Sequence, residues 1–262
     1  MNARLLETCC ERGVLRLTLN RPDVHNAFDD TLIGELHAAF ERAASSDAVR
    51  VLVLGGAGKS FSAGADMHYM RRMGTHSFDD NLADANRLAA MLRCLDTLPI
   101  PTVCRLHGAA MGGGVGLVSC CDIVIGSPRA KLALSEVKIG MIPATISPYV
   151  VRAIGARACR RLFLTGEMVH AERALALGWL SEIVEEDALD GAVDAVVEAL
   201  LANAPNAVRL AKELVFDVAD GAVDDRMVAQ TVESIARVRD SAEGREGLSA
   251  FLEKRPPAWQ TP

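Results

Sequence analysis

The chain of 262 residues is long enough for one large α/β domain with a buried core, alone or with a helical annex. Half of the residues are hydrophobic, 24% are charged and the net charge is −6. A nonspecific nucleic-acid-binding surface, which needs an excess of Lys and Arg, is therefore not expected, and no apolar run reaches the roughly 18 residues of a membrane span.

The cysteines indicate a reducing environment. Their number is odd and no C-x-x-C spacing occurs, so neither a disulfide framework nor a metal site is expected. The first residues lack the apolar core of a secretory signal. Together these features predict a cytoplasmic protein with free thiols. The seven cysteines are Cys9, Cys10, Cys94, Cys104, Cys120, Cys121 and Cys159.

The first two-thirds of the chain alternate between strand-like and helix-like segments, which predicts an α/β fold with a mostly parallel sheet under helical cover. In chain order, the pattern predicts a strand over 14–19, a turn over 21–27, a helix over 31–44, a strand over 49–54, a helix over 81–98, a strand over 102–106, a helix over 116–121 and a strand over 122–125.

The last part of the chain is predicted to be helical. Amphipathic stretches lie at 148–163, 186–202, 205–217, 223–239 and 242–253. We therefore divide the chain into an α/β core over 1–200 and a C-terminal helical region over 201–262.

Two glycine-rich loops, 55–66 and 107–117, carry the strongest signals of a functional site. They do not fit the usual nucleotide or hydrolase motifs. A P-loop would need glycine at Val53, a dinucleotide motif that starts at Gly112 would need it at Leu117, and a hydrolase nucleophile elbow would need it at Ser62.

The second loop places Gly112, Gly113 and Gly114 at the predicted start of a helix. The first N–H groups of a helix have no partner within it, so they suit an oxygen that gains negative charge. Alternatively, these glycines serve only the close packing of a helix on a strand.

Taken together, the motifs resemble those of the enoyl-CoA hydratase/isomerase (crotonase) superfamily over nearly the whole chain. The matching segments are RPDVHNAF (21–28), FSAGADM (61–67), AAMGGGVGL (109–117), CDIVI (121–125), SEVKIGMIP (135–143), LTGEMVHAERALALGWLSEIV (164–184) and GREGLSAFLEKRPPAW (244–259).

The resemblance implies a spiral of ββα units with a C-terminal helical trimerisation region, assembled as a homotrimer or homohexamer. It implies an acyl-CoA thioester substrate, no cofactor apart from the CoA of the substrate, and a thioester oxygen held by the backbone N–H groups of Ala65 and Gly113. Glu136 is the implied acid/base group. The implied CoA-binding residues are His25, Ala63, Asp66, Met67, His68 and Lys254.

Asp66 and His107 also have structural interpretations. Asp66 lies where a helix is expected to start, which favours a helix cap. His107 precedes the glycine turn, where a loop-stabilising role is favoured over catalysis.

The chain departs from the family pattern at Gly116, where two-carboxylate hydratases have a second glutamate. One carboxylate suffices for an allylic proton shift, so a Δ3,Δ2-enoyl-CoA isomerase stays open. The segments FSAGADMHYMRRM and SEVKIGMIPATISPYVVRAIG nevertheless look similar to those of enzymes that hydrate methylglutaconyl-CoA or isohexenylglutaconyl-CoA. Hydration of methylglutaconyl-CoA is a step of leucine breakdown. A hydratase is therefore expected, with an acyl pocket reshaped by PATISPYV. A catalytically inactive acyl-CoA binder is the third possibility.

Overall fold

The computed structural model describes residues 5–9, 12–219 and 221–260, with the side chains of the last two ranges. Cys10 and the ends of the predicted domains at 1–4 and 261–262 lie outside the described residues, as do the side chains of 5–9. Within this part of the chain, no helix combines the length and apolar character needed to cross a membrane. Cys94, Cys104, Cys120, Cys121 and Cys159 are free thiols.

The described residues form ten strands in two sheets. In chain order they are β1 (Leu5–Cys9), β2 (Val14–Leu19), β3 (Val51–Gly56), β4 (Ser60–Ser62), β5 (Thr102–Leu106), β6 (Ala109–Met111), β7 (Ile123–Gly126), β8 (Lys131–Ala133), β9 (Val169–His170) and β10 (Glu182–Ile183).

Ten α-helices lie in the same described ranges. They are α1 (Asp30–Ser45), α2 (Met67–Met73), α3 (Phe78–Asp96), α4 (Gly113–Cys120), α5 (Ser147–Thr165), α6 (Ala171–Ala176), α7 (Leu189–Leu201), α8 (Pro205–Ala219), α9 (Asp225–Asp240) and α10 (Ala242–Glu253).

The chain forms a spiral in which each unit adds one strand to each sheet. The larger sheet has the order β1-β2-β3-β5-β7-β10, and the smaller has the order β4-β6-β8-β9. The pairs β3–β4, β5–β6 and β7–β8 each contribute one strand to both, and helical segments follow each pair. All pairs in the larger sheet are parallel except β1–β2. The predicted α/β class and the spiral of ββα units are confirmed.

The larger sheet is buried on both faces, which explains its nearly continuous apolar strands. In β3, Leu52 and Leu54 belong to the main core with α1 and α3. Val51 and Val53 point to the opposite face and pack with residues of α7. Alternating side chains of one strand thus fill two cores.

Polar contacts attach α8 to this core and α10 to α8. Lys212 of α8 donates to the carboxylate of Asp122 (2.8 Å) and to the carbonyl oxygen of Ile100 (3.1 Å). The Glu243 carboxylate of α10 accepts from the N–H groups of Asn206 (3.1 Å) and Ala207 (2.8 Å) at the start of α8. The helical character predicted for this region is confirmed, whereas its separation at residue 201 stays a prediction.

Candidate active site

The first glycine loop, residues 63–66, joins β4 to α2 and pairs with the segment that precedes α1. The Phe28 N–H donates to the Gly64 carbonyl oxygen (2.6 Å), and the Asp66 N–H donates to the Phe28 carbonyl oxygen (2.8 Å). Gly64 has a φ of 84°, which glycine adopts with little strain. Ala65 lies between the two bonds, and its own N–H has no acceptor in the described part of the chain. This loop therefore presents a free donor.

Asp66 holds the loop in place as the N-terminal cap of α2. Its carboxylate accepts from the His68 N–H (2.8 Å) and from Arg21 (3.0 Å). The Arg21 guanidinium also lies 3.3 Å from Asp29, the cap of α1, and donates to the Ala27 carbonyl oxygen. Burial raises the pKa of Asp66, but the N–H groups of α2 and Arg21 outweigh burial and leave it below its ordinary value. The capping role of Asp66 is confirmed, and its contact with CoA stays a prediction.

The second glycine loop contains the start of α4. Gly112 occupies the N-cap position with φ 47° and ψ −117°, and its N–H donates to the Ala133 carbonyl oxygen (3.0 Å). The N–H groups of Val115 and Gly116 donate to the Gly112 carbonyl oxygen. The N–H of Gly113, in the first turn, donates to none of the described residues. It is a second free donor, at the positive end of the helix dipole.

Close packing brings the two loops together. A Cβ atom built on Gly64 would lie 3.0 Å from the Met111 carbonyl oxygen, and one on Gly114 would lie 2.9 Å from Cβ of Ser62. Larger side chains would force the loops apart. The packing role considered for the glycines is therefore real, and it accompanies the free donors. Convergence of the Ala65 and Gly113 N–H groups on one point stays a prediction.

Glu136 lies beside the second loop, at the start of a 3-10 helix that follows β8 (Glu136–Ile139). A Cβ atom on Gly112 would lie 3.1 Å from Oε1 of Glu136. The other oxygen, Oε2, is buried and has no hydrogen-bond partner in the described structure. Burial raises the pKa of Glu136. A half-buried carboxyl group with a raised pKa thus lies next to the start of α4.

The space beside Gly116, where two-carboxylate hydratases have a second glutamate, is filled. A Cβ atom on Gly116 would lie 2.5 Å from Cγ2 of Ile146 and 3.2 Å from Cδ2 of Leu92. Ile146 is 2% exposed and belongs to the main core. Ile146 of the segment PATISPYV therefore fills the space beside Gly116 with hydrocarbon, whereas the reshaping of an acyl pocket stays a prediction.

Four of the predicted CoA-binding residues surround the exposed side of the first loop. His25, Ala63, Met67 and His68 are exposed, and Met67 is 70% exposed. The Ala63 N–H donates to the His25 carbonyl oxygen (2.9 Å), and Nδ1 of His25 lies 3.1 Å from Oγ of Ser60. The structure therefore gathers these residues next to Ala65.

Lys254 lies apart from that group, after the end of α10, with a φ of 55°. It is exposed, and its side chain makes no hydrogen bond or ion pair with the residues that the structure describes. Its contact with CoA stays a prediction.

His107 has a structural role. Its Nε2 lies 3.0 Å from the Gly58 carbonyl oxygen, and burial lowers the pKa of the ring. The loop-stabilising interpretation is confirmed.

Sequence reasoning missed three residues that shape the site: Arg21, Phe28 and Ile146. Arg21 and Phe28 belong to the matched segment RPDVHNAF, and Ile146 belongs to PATISPYV. The segments could therefore be recognised from the sequence. Their contacts with Asp66, Gly64 and Gly116 could not, because these contacts join positions far apart in the chain.

Comparisons with known proteins agree with this geometry. A family model described as enoyl-CoA hydratase/isomerase matches residues 10–262. The crystal structure of an enoyl-CoA hydratase from Shewanella pealeana is 45% identical with a TM-score of 0.95, and the match covers 98% of this chain and 96% of that one. An enoyl-CoA hydratase structure from Mycobacterium smegmatis is 33% identical, with a TM-score of 0.93 and coverage of 99% and 100%. The 1,2-epoxyphenylacetyl-CoA isomerase of Escherichia coli is 30% identical over 94% of this chain and 95% of that protein.

The substitution Glu136→Gln is expected to raise the free energy of unfolding at about pH 8, by up to about 1 kcal/mol, because it removes the charge of a half-buried carboxylate whose Oε2 has no hydrogen-bond partner among the described residues. Since burial raises the pKa of Glu136, its stabilising contribution is complete below the ordinary pKa of glutamate and is lost as the pH rises through the raised value. The advantage of the variant should therefore grow from about pH 4 to about pH 8 in urea unfolding.

Glu167→Gln serves as the control, because the pKa of Glu167 is shifted in the opposite direction. Hydrogen bonds from Arg161 and Arg173 lower the pKa of Glu167, so this variant should gain no stability at the higher pH. A Glu136→Gln variant that is less stable than the wild type at about pH 8 would contradict the assignment of an unpaired carboxylate.

Proposed function

Since the chain belongs to the enoyl-CoA hydratase/isomerase family, we propose that it is a hydratase that adds water to an α,β-unsaturated acyl-CoA thioester. One observation carries the proposal: two backbone donors without acceptors among the described residues, Ala65 and Gly113, belong to loops in contact with each other beside Glu136, whose Oε2 is unpaired in the same part of the chain. An enzyme that forms an enolate needs donors at the thioester oxygen and an acid/base group at the carbon chain.

The two donors would stabilise the enolate. Negative charge develops on the thioester oxygen only as the reaction proceeds, so fixed N–H groups there lower the barrier more than they strengthen substrate binding. By comparison with other oxyanion holes, each donor is expected to contribute about 3–4 kcal/mol. Neither N–H has to break a bond to any described residue before it binds the oxygen.

Glu136 would move the proton in both directions. One oxygen of its carboxylate takes a proton from water while the hydroxyl oxygen bonds to the β-carbon and the double-bond electrons move to the thioester oxygen. The carboxyl group then gives a proton to the α-carbon as the enolate collapses. The sum is one water added across the double bond, with the carboxylate regenerated. The raised pKa of Glu136 makes its carboxylate a stronger base toward water.

CoA is proposed to lie along the exposed side of the first loop, over His25, Ala63, Met67 and His68. Lys254 is proposed to bind the CoA phosphates, in the same or a neighbouring subunit. We propose no cofactor beyond the CoA of the substrate. For the acyl group we propose a glutaconyl type, on the similarity of FSAGADMHYMRRM and SEVKIGMIPATISPYVVRAIG to methylglutaconyl-CoA hydratases.

An isomerase is the second candidate, and the packing of Gly116 favours it. Ile146 and Leu92 fill the space that a second carboxylate would need, so Glu136 has no second acid/base group at that position. A single carboxylate can remove a proton from the α-carbon and return it to the γ-carbon through the same enolate.

A panel of enoyl-CoA thioesters, including a glutaconyl type, distinguishes these functions when it is incubated in ¹⁸O-labelled water and analysed by mass spectrometry. We expect a product that has gained one labelled water. Glu136→Gln should lower turnover by close to the upper end of about 10²–10⁴-fold, because no other carboxylate shares the proton transfer, whereas Glu167→Gln should leave turnover unchanged.

A product of unchanged mass with a displaced double bond would show that the enzyme is an isomerase and not a hydratase. Thioester binding without any conversion would indicate an inactive binder. Near-normal turnover by Glu136→Gln would show that another group is the base.

We also propose a homotrimer or homohexamer, supported by apolar surface on the C-terminal helices. On α9, Val228, Val232 and Ile235 are exposed at helical spacing, and Phe251 and Leu252 of α10 are 80% and 74% exposed. Contiguous apolar surface of this kind is typical of protein interfaces.

Sedimentation at micromolar concentration should therefore show trimers or hexamers. Val232→Glu, which places a charge in the proposed contact, should dissociate them, whereas Glu233→Gln on the same helix should not. A stable 28.0 kDa monomer of the wild type would contradict the proposed assembly.

A further inference from the structure

Phe28 is the one residue described above that contacts both glycine loops, the first through its backbone and the second through its ring, and we infer that it is a positioning residue that helps to set the separation of the two oxyanion donors. The inference rests on the proposed role of Ala65 and Gly113 as those donors. Phe28 is 3% exposed, so it is placed to act through the loops and not by contact with substrate.

The backbone of Phe28 fixes the first donor. Its N–H and carbonyl oxygen bond to the residues on either side of Ala65, at 2.6 Å to the Gly64 carbonyl oxygen and 2.8 Å from the Asp66 nitrogen. These two bonds form an isolated parallel bridge between Phe28 and Ala65. The orientation of the Ala65 peptide is therefore tied to the backbone of residue 28.

The ring of Phe28 fixes the second donor. A Cβ atom on Gly113 would lie 2.7 Å from Cε2 and 2.8 Å from Cδ2 of the ring. The ring therefore rests directly on the backbone of Gly113, where no side chain intervenes. The first turn of α4 cannot move toward the first loop without displacing this ring.

The position of Gly113 relative to Ala65 therefore depends on the Phe28 side chain in addition to the direct contacts of Gly64 with Met111 and of Gly114 with Ser62. The backbone of residue 28 is itself anchored, because Arg21 donates to the carbonyl oxygen of the preceding Ala27 and holds the adjacent caps Asp29 and Asp66. A shorter side chain would leave Gly113 without support on one face. Displacement of a donor by about 1 Å can cost on the order of 10²-fold in rate.

The test uses the variants Phe28→Leu and Phe28→Ala with the matched controls Phe40→Leu and Phe40→Ala. Phe40 lies on α1, is fully buried in the same core, and makes none of the loop contacts described for Phe28. Each pair removes the same atoms from the core. The readouts are kcat, KM, the thermal midpoint and the absorption band of a bound conjugated dienoyl-CoA, which moves to longer wavelength when its carbonyl is polarised by hydrogen bonds.

We expect the wavelength shift to decrease from Phe28 to Leu to Ala, with kcat falling by on the order of 10²-fold for alanine and KM little changed. The Phe40 variants should keep the shift while losing thermal stability to a similar extent. If an alanine variant does not fold, the leucine pair supplies the same comparison. A full shift and normal kcat in Phe28→Leu and in any folded Phe28→Ala would overturn the inference. No shift in the wild type would instead count against the donor pair itself.

Discussion

The structure depends on one packing constraint, the close approach of two glycine loops at the ends of neighbouring ββ units. Gly64 lies against the Met111 carbonyl, and Gly114 lies against Ser62, so closely that a Cβ atom at either position would push the loops apart. This approach brings together segments that are almost 50 residues apart in the chain. It also leaves the Ala65 and Gly113 N–H groups without acceptors among the described residues. Ala65 is exposed and Gly113 is half-buried, so both N–H groups are open to a ligand oxygen.

The environment of Glu136 follows from the same arrangement. Its carboxyl group is buried beside Gly112 with one oxygen unpaired, which favours the protonated form and raises its pKa. In a site with a second carboxylate, the two groups would raise each other's pKa by repulsion. Here the position at Gly116 is packed with hydrocarbon from Ile146 and Leu92, so burial, which outweighs the hydrogen bond from the Glu136 N–H, raises the pKa of Glu136. The unpaired Oε2 costs stability, and in the proposed mechanism the same carboxyl group takes and gives the proton.

Much of the fold could be predicted because its signals are local. Strands at Val14–Leu19 and Thr102–Leu106 were predicted with their observed bounds, and the start of α4 was expected at the three glycines. The smaller sheet was missed, because β4, β6 and β8 have only three residues each, too few to show the alternation of apolar and polar residues that identifies a strand. Motif similarity indicated the loops and Glu136. It did not indicate that Phe28 packs on Gly113 or Ile146 on Gly116, since these contacts depend on how the units of the spiral stack.

The most direct test of the account replaces single backbone N–H groups by ester oxygens. Lactate in place of Ala65 keeps the methyl side chain, removes the proposed donor and makes the Gly64 carbonyl oxygen, which accepts from the Phe28 N–H, a weaker acceptor. Lactate in place of Ala188, outside the candidate site, removes an N–H that donates to the Glu185 carbonyl oxygen, and it serves as the control. We predict a loss of about 10²–10³-fold in kcat for the ester at 65, with little change in CoA-ester affinity and a much smaller effect at 188. Equal turnover by the two esters would contradict the assignment of the oxyanion site.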